Sequence, residues 1–320
     1  MTVSVVIPTY KRLSGLLRAL RSLQEQSLPG FEILAVDNEA SREVERSVAA
    51  FNESARLPAL YLGEPDLGLQ NARHRGARAA SGGILVFTDD DASFDPGWLA
   101  AYSDAFDRNP DMVAAGGPVR PQWEMPPPQW LLDFIGTEKI FPILSLMEPN
   151  EAFRLEPDGF FFGVNMAIRR ETLFAMGGFN PESVGGTWIG DGESGLNRRL
   201  WERGLLIGYV PEASVFHHIP PSRMTMRYFR RRMANEGACD AYARLRGTHP
   251  KRVRLIRSML STIRTNGTAW IRAALLRDSY DASSIACQLQ AARAWSQLKY
   301  TGRLLFDHRL RELVARLDWL

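Results

Sequence analysis

The sequence predicts an α/β fold, a mixed and mostly parallel sheet flanked by helices, with a helical extension at the C-terminal end. Three observations carry this reading. Strand and helix signals alternate over the first ninety residues, the pattern of a parallel sheet with crossover helices. Acidic residues collect where strands end. The charge also changes sign along the chain. Of 39 Lys and Arg and 36 Asp and Glu, residues 221–320 hold 20 against 7, leaving 19 against 29 in residues 1–220. An acidic body with a basic tail indicates two regions with different neighbours. The boundary is placed at the Pro220-Pro221 break, giving a sheet domain at 1–220 and a basic, mainly helical region at 221–320.

Taken in order, VSVVIP (3–8) is short, β-branched and closed by proline, as a buried strand is. Leu16, Leu17, Leu20 and Leu23 recur at helical spacing within residues 14–26. FEILAV (31–36) is a second strand that stops at Asp37, residues 41–51 are helical, and 57–63 form a third strand. A helix over 67–81 leads into a fourth strand at 83–88, which runs into Asp89, Asp90 and Asp91. Residues 98–106 are helical. Residues 116–159, rich in Pro, Trp and Phe, read as a long ordered excursion. Its Trp123 and Trp130 could line an aromatic cleft that stacks on sugar rings or simply anchor the loop. Residues 161–170 read as a strand, 171–176 and 194–204 as helices, and 205–218 as a last strand segment. In the tail, Ile285, Leu289, Ala292, Trp295 and Leu298 make an apolar helical face. Packing on the main domain is the favoured reading for it, with membrane contact and protein contact as the alternatives.

Two cysteines, Cys239 and Cys287, exclude a disulfide framework. No leader is seen, and no apolar run approaches the roughly 18 residues that span a bilayer. The expectation is a cytoplasmic protein, with peripheral attachment to the inner membrane face as an alternative. Nucleic acid is not expected as a partner, because no recognition motif accompanies the basic charge.

In open parallel sheets ligands bind beyond the carboxyl ends of the strands, where Asp37 and the acid triplet lie. An extended segment would turn Asp89 and Asp91 to one side and Asp90 to the other. Two carboxylates facing solvent suit Mg2+ or Mn2+, which accept carboxylates together with substrate phosphate oxygens. The plainer alternative is a loop whose acids cap the next helix.

The succession VVIPTYKR, AVDNEAS, GLQNARHRGARAASGGILVFTDDDA, FGVNMAIRR, GGFNP and GDGESGLNRRL resembles the family 2 glycosyltransferases, an inverting group with the GT-A fold, over residues 1–220. The resemblance implies a nucleotide-sugar donor, with UDP as the expected nucleotide, and a divalent metal on its diphosphate. It makes Asp91 the direct metal ligand, puts Asp89 near metal and ribose, and counts Asp90 with the nucleotide-sugar contacts. It gives Asp37 the imide N–H of uracil and lines the nucleotide pocket with the backbone of Pro8, Thr9 and Tyr10. Arg73 offers a cationic fork to phosphate or base, while His74 stands where the family has Asn and reads as structural. Glu39-Ala40 replaces the usual Gly-Ser. Asn165 is placed on the sugar side. Counting back three residues from Leu196 makes Glu193 the base and leaves Asp191 in reserve. His217 would add a third metal ligand. The implied acceptor is a hydroxyl of a glycan or lipid-linked glycoconjugate, in cell-envelope polysaccharide synthesis.

Three rivals are weighed against this. A sugar nucleotidyltransferase should carry a glycine-rich loop after the first strand, and VVIPTYKR has none. A phosphatase with an Asp-x-Asp nucleophile wants its acids after the first core strand. A catalytically silent glycan-binding scaffold is disfavoured by the intact Asp89, Asp91 and Glu193.

Overall fold

The structure, a computed structural model, describes residues 2–149, 152–181, 190–277, 279–317 and 319, and residues 183, 184, 187 and 188 by their backbone alone. Strand β1 (Val3–Thr9) is buried along its whole length. It pairs in parallel with β2 (Glu32–Asp37) and β4 (Ile84–Phe87), and β2 pairs in parallel with β3 (Ala59–Gly63). Helices α1 (Leu13–Leu23), α2 (Arg42–Asn52) and α3 (Leu69–Ala79) cross between them. The register sets Thr9 beside Asp37. The carboxyl ends of β1, β2 and β4 therefore open onto one edge of the sheet.

After β4 come β5 (Ala92–Phe94), α4 (Trp98–Arg108), β6 (Met112–Gly116), β7 (Val119–Trp123) and α5 (Gln129–Ile135). Then follow β8 (Ile140–Phe141), β9 (Leu146–Met147), β10 (Arg154–Glu156), β11 (Met166–Arg169) and α6 (Arg170–Ala175). A backbone hairpin, β12 (Ser183–Val184) and β13 (Thr187–Trp188), precedes α7 (Gly192–Glu202), β14 (Leu206–Tyr209) and β15 (Val215–Ile219). The main sheet runs β10-β14-β6-β11-β4-β1-β2-β3, and a second sheet runs β5-β15-β7-β9-β8. Strand β11 is antiparallel to both β4 and β6.

Two readings need correction. The excursion at 116–159 contributes four short strands, three of them to the second sheet. Strands of two to five residues leave too little alternation to be read from a sequence. The segment 205–218 is two strands rather than one. After Tyr209 the Val210 N–H still bonds the Gly116 C=O beside β14, and a turn closed by Ala213 N–H to Val210 C=O leads the chain from one sheet to the other. Strand β14 thereby joins the main sheet, while β15 pairs with β5 and carries His217 opposite Ala92. That crossing brings the end of the sheet domain back to the acid turn.

The tail forms α8 (Met226–Leu245), α9 (Arg252–Leu275), α10 (Ala282–Phe306) and α11 (His308–Ala315). Pro220 marks a change of secondary structure but not of core. Met224, Met226, Phe229, Ile285 and Leu289 are buried in the same cluster as β1 and α1, while Tyr242, Leu255, Tyr300 and Leu304 make a separate helical core. Trp130 packs edge-on to Phe229 at 5.4 Å and near Tyr280 at 5.8 Å. It anchors the tail to the sheet domain. Of the tail's apolar stripe, Ile285 and Leu289 are buried in that packing while Trp295 is 53% exposed.

Candidate active site

Strand β4 ends at Phe87 and the chain turns at Asp90 and Asp91, so the alternation expected of an extended triplet does not hold. Arg12 Nη1 reaches Asp90 Oδ1 at 3.1 Å and Asp91 Oδ2 at 2.7 Å, while Asp89 Oδ1 turns away to Arg73 Nη2 at 3.1 Å. Lys11, at φ 55°, adopts the left-handed conformation that side chains other than glycine seldom take. It turns the chain so that Arg12 faces the acids. Gly15 lies directly beneath the turn, where a Cβ would come within 2.6 Å of the Asp90 carbonyl oxygen.

Thr9 Oγ1 donates to Asp90 Oδ2 at 2.8 Å. Burial, reinforced by the charge of Asp91, lifts the Asp90 carboxyl to about 6. Burial opposes ionisation of Asp91 too. There, however, His217, Arg223 and Arg12 outweigh it and hold the carboxyl well below the usual carboxylate range. Arg223, on the turn after β15, bonds Asp91 Oδ2 and approaches His217 Nε2 at 2.7 Å. His217 Nδ1 faces the Leu144 carbonyl at 2.9 Å, which places its proton on Nδ1 and its lone pair on Nε2. That Nε2 stands 3.5 Å from Asp91 Oδ1, a buried oxygen without a hydrogen-bond partner. The Nε2 lone pair takes the Arg223 guanidinium, so this oxygen and nitrogen suit a divalent cation only once Arg223 moves aside. Among the described residues no group of three His, Cys, Asp or Glu is arranged as a protein cage.

Above the turn opens a cleft of about 450 Å³, lined by Pro8, Thr9, Tyr10, Asn38, the three acids and both arginines. A second cleft of about 200 Å³ holds Glu193, with Phe160, Phe162 and Trp201 around it. Arg73 joins the two. Its side chain is 1% exposed, it reaches Glu193 Oε2 at 3.4 Å as well as Asp89, and it lies over the Phe179 ring. Gly163 leaves room for this guanidinium, since a Cβ there would collide with it.

Several expected contacts fall elsewhere. Arg73 is a buried strut beneath the acids and does not line the larger cleft above the turn. Asp37 is fully buried. Its oxygens accept from the N–H groups of Glu39 and Ser41 and from the Tyr61 hydroxyl, which fixes the turn after β2 and leaves Asn38 to line the cleft. Asp191 accepts from Asn180 Nδ2 at 2.6 Å and Arg198 Nη1 at 3.1 Å with a side chain only 1% exposed, against 27% for Glu193. Both line the second cleft, and Glu193 is the more exposed of the two. His74 accepts the Phe179 N–H at 2.8 Å and packs on its ring, a structural role.

Asn165 lies in the core. Its oxygen accepts from Trp98 Nε1 and the Tyr102 hydroxyl, and its amide donates to the carbonyls of Pro118 and Ala213. With every capacity used, Asn165 has nothing left for a sugar. Asn165→Ala strands Trp98 Nε1, the Tyr102 hydroxyl and the Ala213 carbonyl, the Pro118 carbonyl keeping the Val215 N–H, and is expected to cost about 3 kcal/mol of stability. Thermal unfolding reads that loss.

Arg12 and Arg223 are site residues that sequence reasoning passed over. Arg12 was visible in VVIPTYKR, directly after the first strand. Arg223 had no local signal, since only the crossing of β15 brings it to the acids.

The model of the family described as glycosyl transferase family 2 matches residues 4–175, more than half of the chain, including β1, β4 and β5 but not β15. The chain belongs to glycosyl transferase family 2. Among curated members, the glucosyl-dolichyl phosphate glucuronosyltransferase of Haloferax volcanii is 25% identical over 224 residues, 68% of this chain and 70% of that protein. The chondroitin synthase of Escherichia coli is 25% identical over 249 residues, 69% of this chain but 35% of that longer protein. A mannosyltransferase of Pyrobaculum calidifontis, solved with GDP-Man and Mn2+, superposes with a TM-score of 0.61 at 20% identity, over 92% of this chain and 86% of that one. The family 2 chain thus has the GT-A fold, its acid turn and Glu193 cleft lying side by side at the edge of the sheet.

Proposed function

We propose that this glycosyltransferase moves a sugar from a nucleoside-diphosphate donor, with inversion, to a hydroxyl of a glycan or lipid-linked glycoconjugate. The observation that carries the reading is the Arg73 strut. It fixes Asp89 at the donor cleft and Glu193 at the neighbouring cleft on one buried guanidinium. The anomeric carbon would lie where the clefts meet, with the acceptor hydroxyl on the Glu193 side. Glu193 takes the hydroxyl proton as the new C–O bond forms and the bond to phosphate breaks. Asp91 Oδ1 and His217 Nε2, with Asp89 beside them, would hold Mn2+ or Mg2+, which when bound neutralises charge on the leaving diphosphate. Arg12 supplies a further cation at the same edge. A place in polysaccharide or glycolipid assembly is supported by relatives such as a succinoglycan biosynthesis protein and the dolichyl phosphate enzyme.

The test is calorimetric titration of nucleotide diphosphates and nucleotide sugars, UDP-linked donors first, with and without Mn2+. Binding of one nucleotide that requires the metal supports the reading. No binding by any member of the panel overturns it.

Among the described residues no helix is long and apolar enough to cross a membrane. Helix α9, however, turns Val253, Ile256, Leu260, Ile263, Ile271 and Leu275 to solvent. Its 24 residues include five arginines and no acid. This is the composition of a helix that lies in an anionic bilayer surface. A second copy of the chain is disfavoured there, because two acid-free arginine rims would repel. Binding to vesicles containing phosphatidylserine is expected to fall at least about tenfold when Ile256, Leu260 and Ile263 become Ser, at about 1.5 kcal/mol or more for each buried side chain. Equal vesicle binding by that variant rejects the attachment.

A further inference from the structure

Beside the two clefts lies a third cavity, of about 710 Å³, whose wall carries five arginines. Arg12 and Arg223 come from the donor side. Arg227, Arg231 and Arg232 project from one face of α8, at the i, i+4 and i+5 spacing that stacks side chains on a helix. No carboxylate lines it among the described residues. Arg12 and Arg223 pair with the acid turn, and Arg232 reaches Glu236 at 3.8 Å. Arg227 and Arg231 are exposed and form no ion pair among the described residues, Arg231 lying over the Tyr228 ring. Like charges gathered on a concave wall repel unless an anion sits among them.

The position of the cavity says which substrate brings that anion. It shares Arg12 and Arg223 with the donor cleft, and Arg232 and Asn235 with the cleft of Glu193. An anion held there is bracketed by donor and base, on the side from which the attacking hydroxyl arrives. The donor's own diphosphate belongs at the acid turn, where Asp91 faces His217. The charge in the third cavity therefore comes from the second substrate.

We infer that this cavity binds a phosphate or diphosphate ester carried by the acceptor, whose sugar then lies against Phe160, Phe162 and Trp201 near Glu193. Phosphate suits the wall better than a carboxylate does. Guanidinium forks arriving from the strand side and from α8 can each take a separate edge of a tetrahedral group bearing up to two charges. A carboxylate brings one charge and two oxygens in a plane, fewer acceptors than the three oxygens of a phosphate monoester. The inference rests on the donor reading only in naming the ligand the acceptor.

The experiment titrates the full chain, without metal, with two probes. One is glucose 1-phosphate in solution, and the other is a phosphate-monoester lipid in uncharged maltoside micelles. Glucose and lipid-free micelles serve as blanks. Wild type is expected to bind a phosphate probe, and Arg227→Ala with Arg231→Ala to weaken it at least about tenfold. Both side chains are exposed, so the variant keeps its fold, and a separate nucleotide titration reads the donor cleft. Binding of the soluble ester supports a free phosphosugar acceptor, and binding of the micellar lipid alone supports a lipid-borne one. Binding of neither probe, or equal affinity in the double variant, overturns the inference. If no nucleotide binds while the phosphate probe does, the donor reading fails and the arginine site stands.

Discussion

Asp91→Asn is expected to abolish metal-dependent nucleotide binding and to lower kcat/KM for the donor by at least about 10³-fold, roughly 4 kcal/mol of transition-state stabilisation. Asp91 is where the charges of the site converge. Arg12, Arg223 and His217 all address this one carboxylate, and its Oδ1 is the buried oxygen without a hydrogen-bond partner. The amide keeps the shape of the side chain but loses its charge, so Arg223 loses its anionic partner while Arg12 keeps only Asp90. Chelation of the metal should reproduce the loss in wild type and add nothing further in the variant. Asp90→Asn makes the contrast. Asp90 bonds Thr9 and Arg12 and shapes the turn, so its amide should retain donor binding within about tenfold. Calorimetry on the three proteins, with thermal unfolding to establish that each is folded, separates these outcomes. Equal loss in both variants would mean that the turn acts through its shape and that Asp91 holds nothing.

What could be read from the sequence, and what could not, divides along a physical line. The β1–β4 half rests on runs of branched apolar residues and on Leu at helical spacing, and these patterns report burial directly. The location of the acid triplet at a strand end followed from the same runs. Its orientation did not, because the chain turns at Asp90 and Asp91 where extended alternation was assumed. Asp37 and Asn165 carry residue types that suit a ligand as well as a core. Only the surroundings decide, namely the Glu39 and Ser41 amides for one and Trp98, Tyr102 and two carbonyls for the other. Arg223 lies 132 residues from Asp91, a pairing made by strand order and invisible to any local pattern. The basic tail was legible as charge and as helix. Which helix would expose its apolar side was not, since the stripe on α10 and the stripe on α9 look alike until one is packed and the other left in solvent.

Glu193→Gln separates chemistry from binding most sharply. It is expected to reduce sugar transfer by about 10³-fold, within the range that a positioned general base supplies, while donor affinity stays within about twofold. The amide keeps the volume and can still meet Arg73, and Arg73 keeps Asp89 as its charged partner. The donor cleft therefore need not rearrange. The expected signature is a fall in kcat with nucleotide affinity unchanged, which a loss of folding would not give. Asp191→Asn should behave in the opposite way. Its buried carboxylate holds Asn180 and Arg198, so the amide should lower the unfolding temperature and leave the turnover of folded protein nearly intact. Glu236 lines the same cleft, and burial raises its carboxyl above the ordinary value, which favours the protonated form. A base has to be ionised before it can accept a proton, which counts against Glu236, and it is Glu193 that Arg73 ties to the acid turn. Transfer that survives Glu193→Gln but fails in Glu236→Gln would move the base to α8, and Arg73 would then tie the acid turn to a residue that only positions the acceptor.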